Sequence, residues 1–484
     1  MLDGNAGAMK ERWRSAASIL GSGKLGKVAS TIRRHEFVQE FPGLWFLTWI
    51  LLPNLCAIAM WPIGGPTIAL PMLIFGCLGY YACSWQRGWA KAVAAMVSVV
   101  GTTAAYVSTS FNLSFFDVSP ALEFAKEVRP FESPEYILAT IAVVVAIVAA
   151  AKLSTKAPKP QGRLQWFSAF GSLMIMISAD GFATADTRGS YKRLPPSDTP
   201  IDSAVLQTRL SPSTLTARNL VIILVESLGE PTDPYDRKLW EKSWLRPEWN
   251  QRYAVSSGSS LYYGSTTNAE LRELCGIWIH YTDYDFKHSN CLPKKFAKAG
   301  FETTAIHSFQ GSFFEREQWY PLLGFQKRMF ADDLLAQKGI APCEGVFPGA
   351  CDRDVPQLIK QKLQQEPDQR KLVYWLTVNS HLPVGSKDSL HTKACKLGTE
   401  EWRSQFPMLC RLYTVHAELS DALTRTILAG DMPETDILII GDHMPPFFQR
   451  TIRTRFDTGR VPWVYLRDRR AAAVALAPKA SLPT

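Results

Sequence analysis

Three apolar runs in the second half of the chain end in side chains that hold metals or move protons. NLVIILV runs into Glu226, LVYWLTVNS into His381, and DILIIG into Asp442 and His443. Taken singly, each has an ordinary explanation. Glu226 can cap a helix, His381 can be a loop histidine before Leu382-Pro383, and Asp442-His443 can be turn formers before Pro445-Pro446. Taken jointly, carboxylates and imidazoles at three strand ends form the donor set of a divalent metal site. A hydroxyl comes from the segment GSTTNAEL, Gly264 to Leu271. Thr267 and Glu270 have the S/T-x-x-E spacing of a capping box, which gives Thr267 a structural job at a helix start and leaves Thr266 without one. A hydroxyl there sits beside free backbone N–H groups and the positive end of a helix dipole, where a phosphate is stabilised. A metal beside it would lower its pKa and activate it for attack.

Such a site needs elements to hold it. From Asn219 onward, short continuous apolar runs alternate with helical stretches: NLVIILV, ETTAIHSF, KLVYWLTV, DILIIG and VPWVYL. Runs without polar alternation predict strands buried on both faces, as in a parallel sheet covered by helices. In such sheets ligands collect at the carboxyl ends of the strands, where these side chains fall. Helices are expected at AELREL, LPKKFAKAG, VPQLIKQKLQQ and YTVHAELSDALTRTILAG, the last with apolar positions Val415, Leu419, Leu423 and Ile427 and Gly430 as its C-cap. The sequence thus predicts an α/β domain over 219–484 with a mainly parallel sheet. Before it, 186–218 is rich in Pro, Ser, Thr and charge and reads as a linker with a short helix.

The first part of the chain is of another kind. No Asp, Glu, Lys or Arg occurs from Phe41 to Gln86, and about 46 residues at 1.5 Å rise are too long for one helix across a ~30 Å hydrocarbon layer. Two spans joined at Pro62–Pro66 are expected, with further spans in Ala92–Phe116, Tyr136–Ala151 and Leu164–Ala179, making a bundle of about five over 41–185. Lys and Arg cluster before the first span, at Arg87 and Lys91, and between Lys152 and Arg163, whereas the loops at Pro62–Pro66 and Asp117–Glu135 are neutral or mostly acidic. The positive-inside rule then puts 1–40 in the cytoplasm and everything after the fifth span outside it. The first apolar run begins only at Phe41 and leads into more spans, so no cleavable signal peptide is expected.

The net charge of +9 in 484 residues has much of its excess in those flanks, and reads as a topology signal rather than a nucleic-acid surface. Of nine cysteines, Cys56, Cys77 and Cys83 fall within spans. Cys275, Cys291, Cys343, Cys351, Cys395 and Cys410 form sequence-local pairs in the region placed outside, and an even set in an oxidising space reads as three disulfides. A zinc cluster would call for CxxC spacings, which are absent.

VES at a strand end, GSTTNAEL, HSFQGSFFEREQWY, NSHLP and GDH, in this order over roughly Asn219 to Leu466, resemble the lipoteichoic acid synthase and phosphoglycerol transferase family, within the alkaline phosphatase and sulfatase superfamily. The resemblance implies an alkaline-phosphatase-like fold and one divalent metal ion, zinc or manganese, held by Glu226, Thr266, Asp442 and His443. It makes Thr266 also the nucleophile, Arg316 the arginine on the substrate phosphate, and His381 the histidine near the phosphoryl group. His307 falls near a family histidine in a different local register, so an ordinary strand-end histidine is an equal reading. The segments CEGVFPGACDRD and CKLGTEEWRSQFPMLC resemble the disulfide loops of lipid A phosphoethanolamine transferases. The nucleophile segment differs from the T-S-T-A type of that family, and no further histidine follows Asp442-His443 in the stretch where that family usually has one; both departures favour the phosphoglycerol branch.

What the resemblance implies is a multi-pass protein of a bacterial inner membrane with its catalytic domain in the periplasm. It would move a phosphoglycerol or phosphoethanolamine headgroup from a membrane phospholipid, through phospho-Thr266, to a glycan or lipid acceptor, with no role for nucleic acid. A sulfatase or phosphodiesterase-type hydrolase is the alternative within the fold, although the C/S-x-P-x-R nucleophile segment of sulfatases is missing after Glu226. A non-catalytic membrane sensor is the alternative outside it.

Overall fold

The computed structural model describes residues 41–62, 65–110, 134–185, 194–447 and 449–471. The expected cytoplasmic segment 1–40, most of the loop Asp117–Glu135 and the last residues of the chain lie outside them. The chain divides into two compact units. One includes Ala69–Thr103 and Val143–Gly181; the other holds Cys56–Ile68, Ala104–Ala142 and the chain from Phe182 onward.

Among the described residues, three helices are long and apolar enough to cross a membrane: Gly88–Ser110, Ile137–Ser154 and Gly162–Ala183. They overlap the third, fourth and fifth expected spans, of which 111–116 of the third lie outside the described residues. The first two expected spans differ. The first is broken into Gly43–Phe46, a π-turn Leu47–Leu51 and Leu55–Met60. Pro53 lies between the last two pieces, and a ring in place of an amide hydrogen interrupts the helical ladder. The second, Ala69–Ala82, has 14 residues, about 21 Å at 1.5 Å per residue.

In the α/β part, β1 (Asn219–Val225), β2 (Tyr253–Leu261), β3 (Glu302–His307), β4 (Lys327–Met329), the short pair β5 (Pro342–Cys343) and β6 (Gly349–Ala350), β7 (Lys371–Leu376), β8 (Thr435–Gly441) and β9 (Arg460–Asp468) follow in chain order. Seven of them form one sheet in the order β2-β9-β8-β1-β7-β3-β4. From β8 to β4 every pair is parallel. β9 is antiparallel to both of its neighbours, β8 and β2, so β2 runs in the same direction as the parallel strands.

Alternating side chains of each strand go to opposite faces. Leu220, Ile222, Leu224, Tyr374 and Ile440 pack under the helices Thr266–Cys275, Leu292–Lys298 and Arg316–Leu323 through Leu271, Phe296 and Trp319. Val221, Ile223, Val225, Trp375 and Ile439 pack under Pro234–Trp244, Val355–Gln364 and Pro407–Ile427 through Trp244, Leu358 and Leu419. Both faces are covered, as the continuous apolar runs require.

The long helix starts at Pro407, six residues before the expected start at Tyr413; proline suits a first turn whose N–H groups have no intrahelical acceptor. It ends at Ile427 with Leu428 in the right-handed region, so Gly430 is not its cap. The expected linker is also more than a linker. Beyond its first residues, 186–193, which are not described, Ala204, Val205, Leu210, Leu215 and Ala217 are buried in the first core, and Ser203 caps the short helix Ala204–Gln207. The disulfides Cys275–Cys291, Cys343–Cys351 and Cys395–Cys410 are present, and Cys77 and Cys83 are free thiols.

Candidate metal and nucleophile site

The shared direction of β1, β2, β7 and β8 brings their following residues to one edge of the sheet. Glu226 leaves β1 directly, Asp442 and His443 leave β8, and Thr266 follows β2 as the first residue of the helix Thr266–Cys275. Thr266 Oγ1 lies 3.2 Å from Glu226 Oε2, 3.0 Å from Asp442 Oδ2 and 3.4 Å from His443 Nε2. His443 Nε2 lies 3.2 Å from Asp442 Oδ2 and 3.5 Å from Glu226 Oε1. His381, on the loop after β7, puts Nε2 4.0 Å from Glu226 Oε1. Five of the seven residues singled out in the sequence therefore meet at one point.

The local backbone explains the convergence. Ser227 adopts φ +56, an unfavourable left-handed conformation for a residue with a Cβ. That turn lets the Ser227 N–H donate to Asp442 Oδ1 at 2.8 Å while its hydroxyl donates to Glu226 Oε1 at 3.0 Å. The Glu226 N–H donates to Thr377 Oγ1, and Ser380 and His416 both hydrogen-bond the Glu226 carbonyl. At Gly441, a Cβ would stand 1.9 Å from the Leu228 carbonyl, so only glycine allows β8 to deliver Asp442 this close to the turn after β1.

Tautomers follow from the same bonds. His443 Nδ1 faces the Met444 carbonyl at 3.0 Å and so carries a hydrogen, while Nε2 faces the carboxylates; although burial opposes it, Asp442 and Glu226 raise the pKa of the ring, and a cation bound here would take the place of the Nε2 proton. His381 repeats the pattern, with Nδ1 2.8 Å from the Leu382 carbonyl. Burial lowers the His381 pKa to about 4 and keeps the ring neutral.

Burial, followed by the charge of Glu226, pushes the Asp442 carboxyl up to about 7. Two carboxylates and an imidazole lie here with ligand atoms within 4.8 Å of one another. The neighbouring cation Arg272 is spent on Glu273 and on the carbonyls of Gly441 and Asp442. Hard oxygen donors and an imidazole lone pair, crowded and short of positive charge, fit a divalent cation.

The helix start differs from the expected one. Ser265 is the N-cap, Asn268 Oδ1 accepts from the Ser265 N–H at 3.3 Å, and Thr266 and Thr267 are the first two helical residues. The S/T-x-x-E match at Thr267 and Glu270 is therefore not a capping box. Glu270 is wholly buried and accepts from Arg316 (3.0 Å), Tyr320 (2.5 Å) and Tyr374 (3.1 Å). A glutamate three residues on caps only when the threonine is outside the helix, and Thr267 is inside.

Two predicted residues are not brought into the cluster. Arg316 is 1% exposed; its Nε and Nη2 go to Glu270 and its Nη1 to the Phe313 carbonyl. His307 ends β3, with Nδ1 on the Leu376 carbonyl at 3.2 Å. Its Nε2 is buried without a hydrogen-bond partner. Burial and then the nearby Arg316 charge hold its pKa well below the ordinary histidine value. Sequence reasoning missed Ser227, Thr377, Ser380, Arg272 and His416; a serine directly after Glu226 and a histidine within an apolar helix were the available signals.

Residues 218–463, half of the chain, match the family model described as Sulfatase, and the chain belongs to that family. Among solved structures, the chain is similar to the lipoteichoic acid synthase LtaP from Listeria monocytogenes, with 14% identity over 53% of this chain and 66% of that one (TM-score 0.41). It is also similar to the Streptococcus pyogenes phosphoglycerol transferase GacH in complex with sn-glycerol-1-phosphate, with 18% identity, 52% and 69% coverage and a TM-score of 0.36. A third is the integral membrane lipooligosaccharide phosphoethanolamine transferase A from Neisseria meningitidis, with 14% identity, 84% and 82% coverage and a TM-score of 0.48. No curated protein matches the chain.

Proposed function

We propose that the chain is a membrane-anchored phosphotransferase that moves a phosphoglycerol or phosphoethanolamine headgroup from a membrane phospholipid to a glycan or lipid hydroxyl outside the cytoplasm. The observation that carries the reading is Thr266 Oγ1 within hydrogen-bond distance of Glu226, Asp442 and His443 at the start of a helix. The ordered motifs resembling phosphoglycerol transferases support the choice of group, and the apolar helices support a donor drawn from the same bilayer.

Glu226, Thr266, Asp442 and His443 would hold one divalent ion, zinc or manganese. Bound there, it supplies Lewis-acid stabilisation of the phosphate oxygens and lowers the pKa of the Thr266 hydroxyl. Thr266 Oγ forms a bond to phosphorus as the bond to the glycerol oxygen of diacylglycerol breaks, and that oxygen leaves with a proton. The acceptor hydroxyl then attacks phospho-Thr266, forming the new phosphodiester and restoring the threonine. His381, neutral and with Nε2 toward Glu226, is placed to give and take the proton in the two steps. Arg316 and His307 remain proposed, from the resemblance alone, as contacts for the remaining phosphate oxygens; Arg316 is held by Glu270 and the Phe313 carbonyl, and neither residue stands in the cluster. A five-span anchor with the catalytic domain in a bacterial periplasm completes the reading.

Incubating the purified chain with phosphatidylglycerol or phosphatidylethanolamine vesicles and mapping the modified peptide by mass spectrometry tests it. The expected result is a phosphodiester on Thr266 bearing glycerol or ethanolamine and stoichiometric diacylglycerol. Free glycerol phosphate or phosphoethanolamine with no dependence on an acceptor would make the chain a hydrolase instead.

A further inference from the structure

Asp352 is a buried carboxylate that the reaction above does not use. It follows directly on Cys351 of the Cys343–Cys351 disulfide and is 2% exposed. Its Oδ2 accepts the backbone N–H of Val378 at 3.0 Å and of Asn379 at 2.7 Å. The contact is reciprocal, because the Asp352 N–H donates to Asn379 Oδ1 at 2.7 Å and Asn379 Nδ2 donates to the Ala350 carbonyl at 3.2 Å.

These bonds grip the short loop that carries His381. The His381 N–H closes a turn onto the Val378 carbonyl at 2.9 Å, so the peptide groups held by Asp352 form the base of that turn. From the other side, the ring of Phe347 in the same disulfide loop lies 3.8 Å, centroid to centroid, from the His381 ring. β6 is tied down in turn, since the Ala350 N–H donates to the Ser308 carbonyl at 2.9 Å. A carboxylate accepting two backbone N–H groups makes charge-assisted bonds, stronger than neutral ones and directional. An apolar residue would fill the volume, but it would leave two buried N–H groups unpaired and the loop free to shift.

We infer that Asp352 is a positioning residue for His381: it fixes the 378–381 loop so that the imidazole points Nε2 at the reaction centre, and the Cys343–Cys351 disulfide holds Asp352 at the right height beneath it. The inference rests on the proposed role of His381 in proton transfer. It predicts an effect on turnover that passes through His381: Asp352 itself makes no hydrogen bond to Glu226, Thr266, Asp442 or His443, and its link to them runs through Ser380 of the same loop, whose hydroxyl donates to the Glu226 carbonyl. Orienting partners of this type change activity by about 10- to 100-fold.

The test is a double-mutant cycle on the full-length chain in phosphatidylglycerol or phosphatidylethanolamine vesicles, with diacylglycerol release as the rate and bound metal measured on each sample. Asp352→Ala is expected to lower kcat by about 10- to 100-fold with KM and metal content near wild type. Asp352→Asn, which keeps one oxygen for the two N–H groups, should recover most of the rate. Asp352→Ala combined with His381→Ala should be no slower than His381→Ala alone. Asn379→Ala removes the reciprocal bond and is expected to reproduce a milder form of the defect, so it decides the matter if Asp352→Ala does not fold. Multiplicative losses in the double variant, a loss of metal with Asp352→Ala, or normal kcat in both Asp352→Ala and Asn379→Ala would overturn the inference. Full activity of His381→Ala would overturn the proton-transfer role itself, which separates the two failures.

Discussion

Thr266 Oγ1 lies 3.0 Å from Asp442 Oδ2, a contact that spans 176 residues of sequence. It joins the first turn of a helix to the residue that follows β8. The pair is the shortest statement of what the fold is arranged to do: it presents a hydroxyl to a cluster of metal-type donors.

If Thr266 is the nucleophile, Thr266→Ala abolishes turnover while the melting temperature stays close to wild type, since Ala is a good helix former and the hydroxyl makes its bonds only within the site. Thr267→Ala, at the second helical position, keeps activity. Ser265→Ala removes the N-cap side chain and costs about 0.5 to 2 kcal/mol of stability. Thermal denaturation and diacylglycerol release on the three variants check this. Normal activity in Thr266→Ala would remove covalent catalysis from this segment.

Metal and pH are linked through Asp442. Its folded-state pKa is raised to about 7 by burial and then by Glu226, so between the unfolded value near ~3.9 and that level the folded state holds a proton that the unfolded chain has released. Stability of metal-free protein therefore falls as pH rises through this window and levels off above it. A bound cation displaces the proton and offsets the crowding. The gap in melting temperature between metal-loaded and chelator-treated protein should widen from pH 5 to pH 8, and Asp442→Asn should lose both the ion and the gap. A gap independent of pH would contradict the site as described.

Glu270 and Arg316 form a buried ion pair at 2.9 Å that fastens the helix of Thr266 to the helix Arg316–Leu323. Removing one partner leaves a buried charge without compensation, so Glu270→Ala should cost about 3–5 kcal/mol. Arg316→Ala leaves the carboxylate to Tyr320 and Tyr374 alone and should cost a similar amount. Urea denaturation of both single variants and of the double variant checks the pairing: the double loss should be clearly smaller than the sum. Additive losses would show that the two act independently.

Topology offers a separate test. A periplasm-active reporter fused after Thr484 should be active, and one fused at Lys156 should be silent. An active Lys156 fusion would invert the helices around it and remove the argument for a phospholipid donor in the same leaflet.

Much of this was legible in the chain because it follows from local periodicity. The runs ending at Val225, Leu376 and Gly441 became buried strands, since an uninterrupted apolar segment is stable only when both its faces are covered. Glu226, His381, Asp442 and His443 were readable as strand-end residues for the same reason, and the cysteines paired as sequence neighbours. Other features depended on what lies across space. β2 was invisible because YAVSSGSSL, an edge strand, has no continuous apolar run. The exchange of Thr267 for Ser265 as the N-cap was decided by Arg316, Tyr320 and Tyr374, which claim Glu270 from distant segments and leave Asn268 to cap the helix. The grip of Asp352 on the His381 loop likewise joins segments 26 residues apart through backbone N–H groups, which carry no signature in the sequence. Composition and period determine which residues must be buried and which strands must be parallel; which polar group meets which is settled only when the packed elements leave each buried donor a single acceptor within reach.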